Sequence, residues 1–168
     1  VTDLAGNITT AEVVVININK TIPSEIPNLT VKYSILEPTN QNVTVTITSD
    51  KEMQEIKGWN IDSTKKILTK EYEENKEEEI TLTDLVGNSA KANIKITNID
   101  KVKPEININY STTETTRDKV TVFITANEEI KIPKGWILSE QSNVIYKEYD
   151  ANTEETVIVE DLAGNKTE

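Results

Sequence analysis

The feature that most constrains this chain is a seven-residue phrase used three times. It reads VTDLAGN at residues 1–7, LTDLVGN at 82–88 and VEDLAGN at 159–165, with starts 81 and then 77 residues apart. Spacing of that kind marks an internal repeat. Each copy carries the chemistry of a tight hairpin. Asp stands at the first turn position, where its carboxylate can accept from N–H groups just ahead. Gly follows three residues later, where a type I turn closed by a G1 bulge requires positive φ. Apolar residues alternate before the phrase (Ile80, Leu82; Val157, Val159) and after it (Ala92, Ile94, Ile96). The phrase therefore reads as the turn between the last two strands of a repeated β unit.

Residues 1–20 match 82–101 without a gap, so they read as the C-terminal hairpin of a preceding repeat, with its final strand over 11–18. A proline-marked joint, TIPSEIP at 21–27, comes next; the joint at Val102, Lys103 and Pro104 is four residues shorter. Proline suits neither helix interiors nor central strands, and joints this short restrain their neighbours. Residues 27–88 and 104–165 then align at a constant offset of 77. Leu29, Val31 and Tyr33 match Ile106, Ile108 and Tyr110. Val43, Val45 and Ile47, with threonines between them, match Val120, Val122 and Ile124. One apolar and one Thr-bearing face is the pattern of a half-buried antiparallel strand. About seven short strands per unit, spaced roughly 8–12 residues apart, point to a sandwich. The second unit runs only to Glu168, just past its turn, and is expected to lack its last strand. The chain thus reads as a fragment cut out of phase with its repeats. If its surplus N-terminal strand, Ala11–Ile18, is ordered, it is expected to complete the open edge of another molecule's second unit by strand addition; if that strand hangs free, the expectation fails.

Composition removes several functions. Units of roughly 75–80 residues bury only about 60% of their unfolded surface and leave little room for an enclosed pocket. A net charge of −11 without a basic stripe argues against nucleic acid. There is no histidine and no cysteine, which excludes His-based acid–base chemistry, thiol catalysis, disulfides and zinc–thiolate sites. No apolar run approaches the ~20 residues of a membrane span, so no membrane insertion is expected.

Further matched markers are Gly58-Trp59 with Gly135-Trp136, and Lys70-Glu71-Tyr72 with Lys147-Glu148-Tyr149. The run Asn98-Ile99-Asp100-Lys101 ahead of Pro104 adds a linker signature. With the Thr-rich strand and the DLxGN turn, this ordered set resembles the tandem immunoglobulin-like repeats of Gram-positive bacterial surface proteins. The resemblance implies an all-β chain of two tandem immunoglobulin-like antiparallel β-sandwiches plus an N-terminal remnant hairpin. Its divisions are 1–20, 21–100 for the first complete repeat, and 101–168 for the second. It further implies an extracellular, cell-surface or cell-wall location and a non-enzymatic stalk or spacer projecting a distal functional domain, with neighbouring repeats as partners. Such repeats also serve as adhesin-type binding modules for host glycan or matrix protein, or as accessory domains of secreted carbohydrate-active enzymes.

Each candidate site has a structural counterpart. Trp59 and Trp136 are expected to fill the core rather than form a sugar-stacking platform, and Tyr72 and Tyr149 likewise. Glu73 and Glu78 form no credible catalytic pair on an exposed acidic loop, so no catalytic residue is assigned. Calcium is an alternative at the second joint, where the connectivity brings Asp161 toward Asp100 with Asn127 and Glu128 nearby. Lys101 directly after Asp100 weighs against it, as do Asn19, Lys20 and Lys51 at the other joint. The reading is therefore no cofactor and no metal ligand. No Lys, Asn and acidic trio recurs that would point to an isopeptide crosslink. The sequons at Asn7, Asn28, Asn42, Asn109 and Asn165 reflect composition. Leu85 and Leu162 are expected to pack on the joints, near Ile22 or Ile26 and near Ile99 or Val102.

Overall fold

Alternating β-branched apolar residues and threonines build the central strand of each half. In β2 (Val43–Ser49) the inward Val43, Val45 and Ile47 are fully buried, while the threonines between them face outward. The computed structural model describes residues 25–168 together with 4–6, 8, 10 and 12–15. β2 is flanked by β1 (Leu29–Tyr33) and β4 (Ile67–Tyr72), and β3 (Asn60–Ile61) lies outside β4, giving the order β1-β2-β4-β3. Opposite this sheet stands the hairpin β5 (Lys76–Thr83) and β6 (Ser89–Ile96), paired over eight residues from Lys76↔Ile96 to Thr83↔Ser89. A bridge between Met53 and Asp84 adds a third edge to the hairpin. The two sheets close over one apolar cluster drawn from both, with Leu68 and Tyr72 facing Leu82, Ile94 and Ile96.

The second half repeats this layout in β7 (Ile106–Tyr110), β8 (Val120–Ala126), β9 (Ile130–Lys131), β10 (Ile137–Leu138) and β11 (Val144–Tyr149). β12 (Val159–Asp161) and β13 (Lys166–Thr167) complete it. The sheets run β10-β11-β8-β7 and β13-β12-β9. Each of β1 to β4 reappears 77 residues later with the same bounds, so the repeat in the sequence is a repeat in backbone pairing. The chain is all-β, every strand pairing is antiparallel, and no helix occurs among the described residues.

The halves differ where β5 and β6 stand in the first. Residues 153–158, the counterparts of most of β5, carry no strand, and β12 and β13 cover only the end of the second cluster. Val120 and Val122 are consequently half-buried where Val43 and Val45 are fully so. Tyr110 is 55% exposed. Its counterpart Tyr33 accepts a hydrogen bond at its hydroxyl from the Lys95 N–H of β6.

At the N-terminus, Gly6 has φ of 88°, close to the 101° of Gly87 and 98° of Gly164, as the shared turn requires. The strand expected over 11–18 is not formed at residues 12–15, where Val13, Val14 and Val15 are exposed. Residues 11 and 16–18 of that expected strand, together with Asn7, Asn19, Lys20 and Ile22, lie outside the described residues.

Candidate functional site

The second joint is assembled from three places in the chain. Beyond β6, Ile99 remains part of the first core and bridges Thr39 in parallel; the Asp100 N–H donates to the Thr39 carbonyl at 2.9 Å. Pro104 is buried in the second half, where its carbonyl accepts from the Thr167 hydroxyl. Only Lys101, Val102 and Lys103 are left between these anchors, all exposed.

Facing the linker is the turn at 161–165, whose geometry follows from its aspartate. Asp161 is 1% exposed, and its Oδ1 accepts from the Gly164 and Asn165 N–H groups at 2.6 and 2.8 Å. Its Oδ2 accepts from Asn165 Nδ2 at 2.7 Å. The same Nδ2 donates to the Asp100 carbonyl at 2.9 Å, and the Ala163 carbonyl accepts from the Asn40 N–H at 3.0 Å. The phrase thus binds the first half through its asparagine and its backbone. Its leucines are half in solvent, Leu85 at 48% and Leu162 at 42% exposed, and Ile26 and Val102 are exposed too, while Ile99 is buried in the first core and Ile22 lies outside the described residues. Turning the Asp carboxylate inward to cage the backbone N–H groups leaves the next side chain pointing out.

Glu128, on the loop between β8 and β9, completes the site. Asp100, Glu128 and Asp161 each present a carboxylate oxygen, all within 4.8 Å of one another. Burial raises the Glu128 pKa above the ordinary glutamate value, and the charges on Asp100 and Asp161 add to the effect. On the same loop, Asn127 Oδ1 accepts from the Glu105 N–H at 2.9 Å. Three convergent carboxylates form a hard oxygen set of the kind Ca²⁺ uses, the other positions falling to backbone carbonyls and water. The sequence brings Asp100, Glu128 and Asp161 together, as the structure does.

The first half has the opposite charge at this register. Lys51 stands where the second half has Glu128, bonds Glu25 at 2.8 Å, and has its pKa raised chiefly by Glu25, with smaller help from Asp50 and Asp84. Asp84 repeats the cage of Asp161, accepting from the Val86 and Asn88 N–H groups and from Asn88 Nδ2. Burial pushes its pKa up, but these bonds outweigh it and the carboxyl is held below its usual range.

A second polar constellation recurs in both halves. Glu78 accepts from the Tyr72 hydroxyl at 2.5 Å and from Lys70 at 2.9 Å, and Lys70 lies over the Tyr72 ring. Glu155, Tyr149 and Lys147 repeat the set. Tyr72 is buried and its pKa is raised, first by burial and then by Glu78. Glu78 is held below its usual range by Tyr72 and then Lys70, which is the reverse of what a general acid needs. Glu73 is exposed and has no part in the set. These clamps tie β4 to β5, and β11 to the segment before β12; the sequence showed their Lys and Tyr members but not their glutamates.

Trp136 is 7% exposed within the second core, and Trp59 is half-buried against the first. The Trp136 indole N–H is buried without a partner at hydrogen-bond geometry, although it is close enough to Glu155 to help lower that carboxyl's pKa. Lys101 donates to Asn42 Oδ1 at 2.7 Å and Asn42 donates to Glu71 at 3.0 Å. This Lys–Asn–Glu alignment escaped the sequence reading. Lys101 and Glu71 are exposed rather than enclosed in an apolar core. Compared with protein-family models, curated proteins and solved structures, the chain matches none.

Proposed function

We propose that this chain is a stalk or spacer segment: tandem immunoglobulin-like sandwiches of a bacterial surface or secreted protein that hold a functional domain away from its attachment point. The divisions are those of the sequence, 21–100 and 101–168 after a remnant hairpin at 1–20. The observation that carries the reading is the joint. A three-residue exposed link is flanked on both sides by residues built into the neighbouring cores. Asn165 and Ala163 of one half are hydrogen-bonded to Asp100 and Asn40 of the other. A joint of this kind transmits orientation from one unit to the next, which is the mechanical requirement of a spacer. Outward threonines and a net charge of −11 keep such a rod soluble and discourage edge pairing. The buried Trp136 offers no stacking face for a sugar. Small-angle scattering of the 168-residue chain is the test. An elongated particle with two-lobed distance distribution is expected, and two units folded side by side into a globule would refute the proposal.

A further inference from the structure

The outward face of the second half carries a row of side chains that the first half lacks. Ile137, Tyr146, Phe123 and Asn109 stand side by side across β10, β11, β8 and β7, in direct cross-strand register. Ile124 and Ile145, next to Phe123 and Tyr146 in sequence, are buried in the core, so the row points the other way. At the same register the first half has Asn60, Thr69, Thr46 and Lys32. Two rings therefore replace two threonines, isoleucine replaces asparagine, and an amide replaces the lysine. The strands concerned have the same bounds in both halves, and the row faces away from β12 and β13. Its exposure is thus independent of how far the second sheet extends.

We propose that this row is a platform for an uncharged oligosaccharide, a site separate from the joint and independent of the spacer reading. The first support is shape. The Phe123 and Tyr146 rings lie with centroids 6.2 Å apart and tilted by 38°, both half-buried, and Ile137 extends the apolar strip at 54% exposure. A pyranose with equatorial hydroxyls has apolar C–H faces, which pack on aromatic rings. The row crosses four strands, about 14 Å at ~4.8 Å per spacing, which suits several linked sugars rather than one. A cross-strand aromatic pair also steadies a sheet, but that role does not call for an exposed isoleucine beside it.

The second support is charge. Among the outward strand positions of this sheet Glu148 alone is ionised, and Lys119 pairs with it at 3.2 Å. In a chain of net charge −11 a neutral strip matches a neutral ligand, and the loss of the Lys32 cation at Asn109 removes the one group that would hold an anion. The third is hydrogen-bonding capacity. The Tyr146 hydroxyl and the exposed Asn107 and Asn109 side chains make no hydrogen bond with the described residues, which leaves them for the hydroxyl rim of a sugar. A protein partner is disfavoured by size, because four side chains fall far short of the roughly 20–30 residues a side of a specific interface. A second copy would also bring its own eleven negative charges.

The test is an NMR titration of the full chain with a neutral β-1,4-linked glucose hexasaccharide, following the rings and amides of residues 123 and 146. Saturable shifts confined to this face are expected. The double variant Phe123→Thr, Tyr146→Thr, which restores the first half's residues, should weaken binding at least tenfold. The reciprocal transplant Thr46→Phe, Thr69→Tyr, Asn60→Ile should add a second equivalent site in the first half, and it keeps the test decisive if the double variant is unstable. Rings that do not respond, a response that the double variant keeps, a transplant that adds no site, or equal binding of anionic oligogalacturonate would each overturn the proposal. So would self-association abolished by the double variant, since that would put protein on the row instead.

Discussion

Glu128→Lys should stabilise the chain, and the magnitude can be worked from the cluster. Carboxylate oxygens of Asp100, Glu128 and Asp161 lie within 4.8 Å of one another. At that distance two unit charges repel by about 0.9 kcal/mol in bulk water and about 3.5 kcal/mol at an effective dielectric of about 20. Asp100 and Glu128 are only half-buried, so solvent screening favours the lower figure. Lysine removes the repulsion of Glu128 and replaces it with attraction to both aspartates, as Lys51 provides beside Asp84. The net gain expected at neutral pH and low salt is about 1–2 kcal/mol, with Glu128→Gln gaining about half. The sign with pH follows from the raised Glu128 pKa. Folded chain binds this proton more readily than unfolded chain, so the favourable contribution is full below the ordinary glutamate value of 4.5 and lost as pH rises through the raised one. The gap between variant and wild type should therefore open from acid toward neutrality and narrow with added salt. Urea unfolding at several pH values would measure it, with EDTA present so that no divalent cation neutralises the cluster. A lysine variant less stable than wild type at neutral pH, or a gap indifferent to both pH and salt, would refute the reasoning.

Asn165→Ala should cost about 2 kcal/mol and Asn88→Ala about 1 kcal/mol in urea unfolding, because Asn165 satisfies Asp161 and also reaches across the joint to the Asp100 carbonyl. Glu78→Gln should cost about 1 kcal/mol at neutral pH through its weakened bonds to Tyr72 and Lys70. The lowered Glu78 pKa means that its contribution is present above 4.5 and lost as pH falls through the folded value, so the variant should show a flatter acid limb. Trp59→Phe leaves Trp136 as the only tryptophan, and its fluorescence should resist iodide; strong quenching would place that ring on the surface.

What was legible in the sequence was whatever had a period. Alternation in 43–47 and 120–124 marked the central strands, and the offset of 77 carried every boundary of the larger sheet from one half to the other. The Asp and Gly of the repeated phrase specified the turn because positive φ and carboxylate capping are local demands. The exposure of Leu162 was not legible because it depends on where Asp161 turns, and that is settled by hydrogen bonds from Gly164 and Asn165 which no hydrophobic pattern encodes. Asn165 was overlooked for a related reason. Its partner is a backbone carbonyl 65 residues away, and backbone partners leave no trace in residue identity. The glutamates of the Tyr–Lys clamps were hidden among other acids, in runs where only register separates Glu78 from Glu77 and Glu79.

The same offset makes the chain its own comparison, and it separates the two joints physically. Both turns bury an aspartate that accepts from two N–H groups of its own turn and from the turn's asparagine side chain, so fold alone places one aspartate at the same position in each. The difference comes from one register position. Lys51 brings an ammonium toward Asp84, whereas Glu128 adds a carboxylate to Asp161 and Asp100. Among the described residues no lysine or arginine forms a salt bridge with any member of that trio. The second joint therefore combines a short, hydrogen-bonded linker, which favours one orientation, with uncompensated like charge, which opposes close approach. In a stalk, opposition of that kind makes the angle at this joint respond to pH and ionic strength. The Lys51 register, compensated within the chain, gives its own turn no comparable sensitivity.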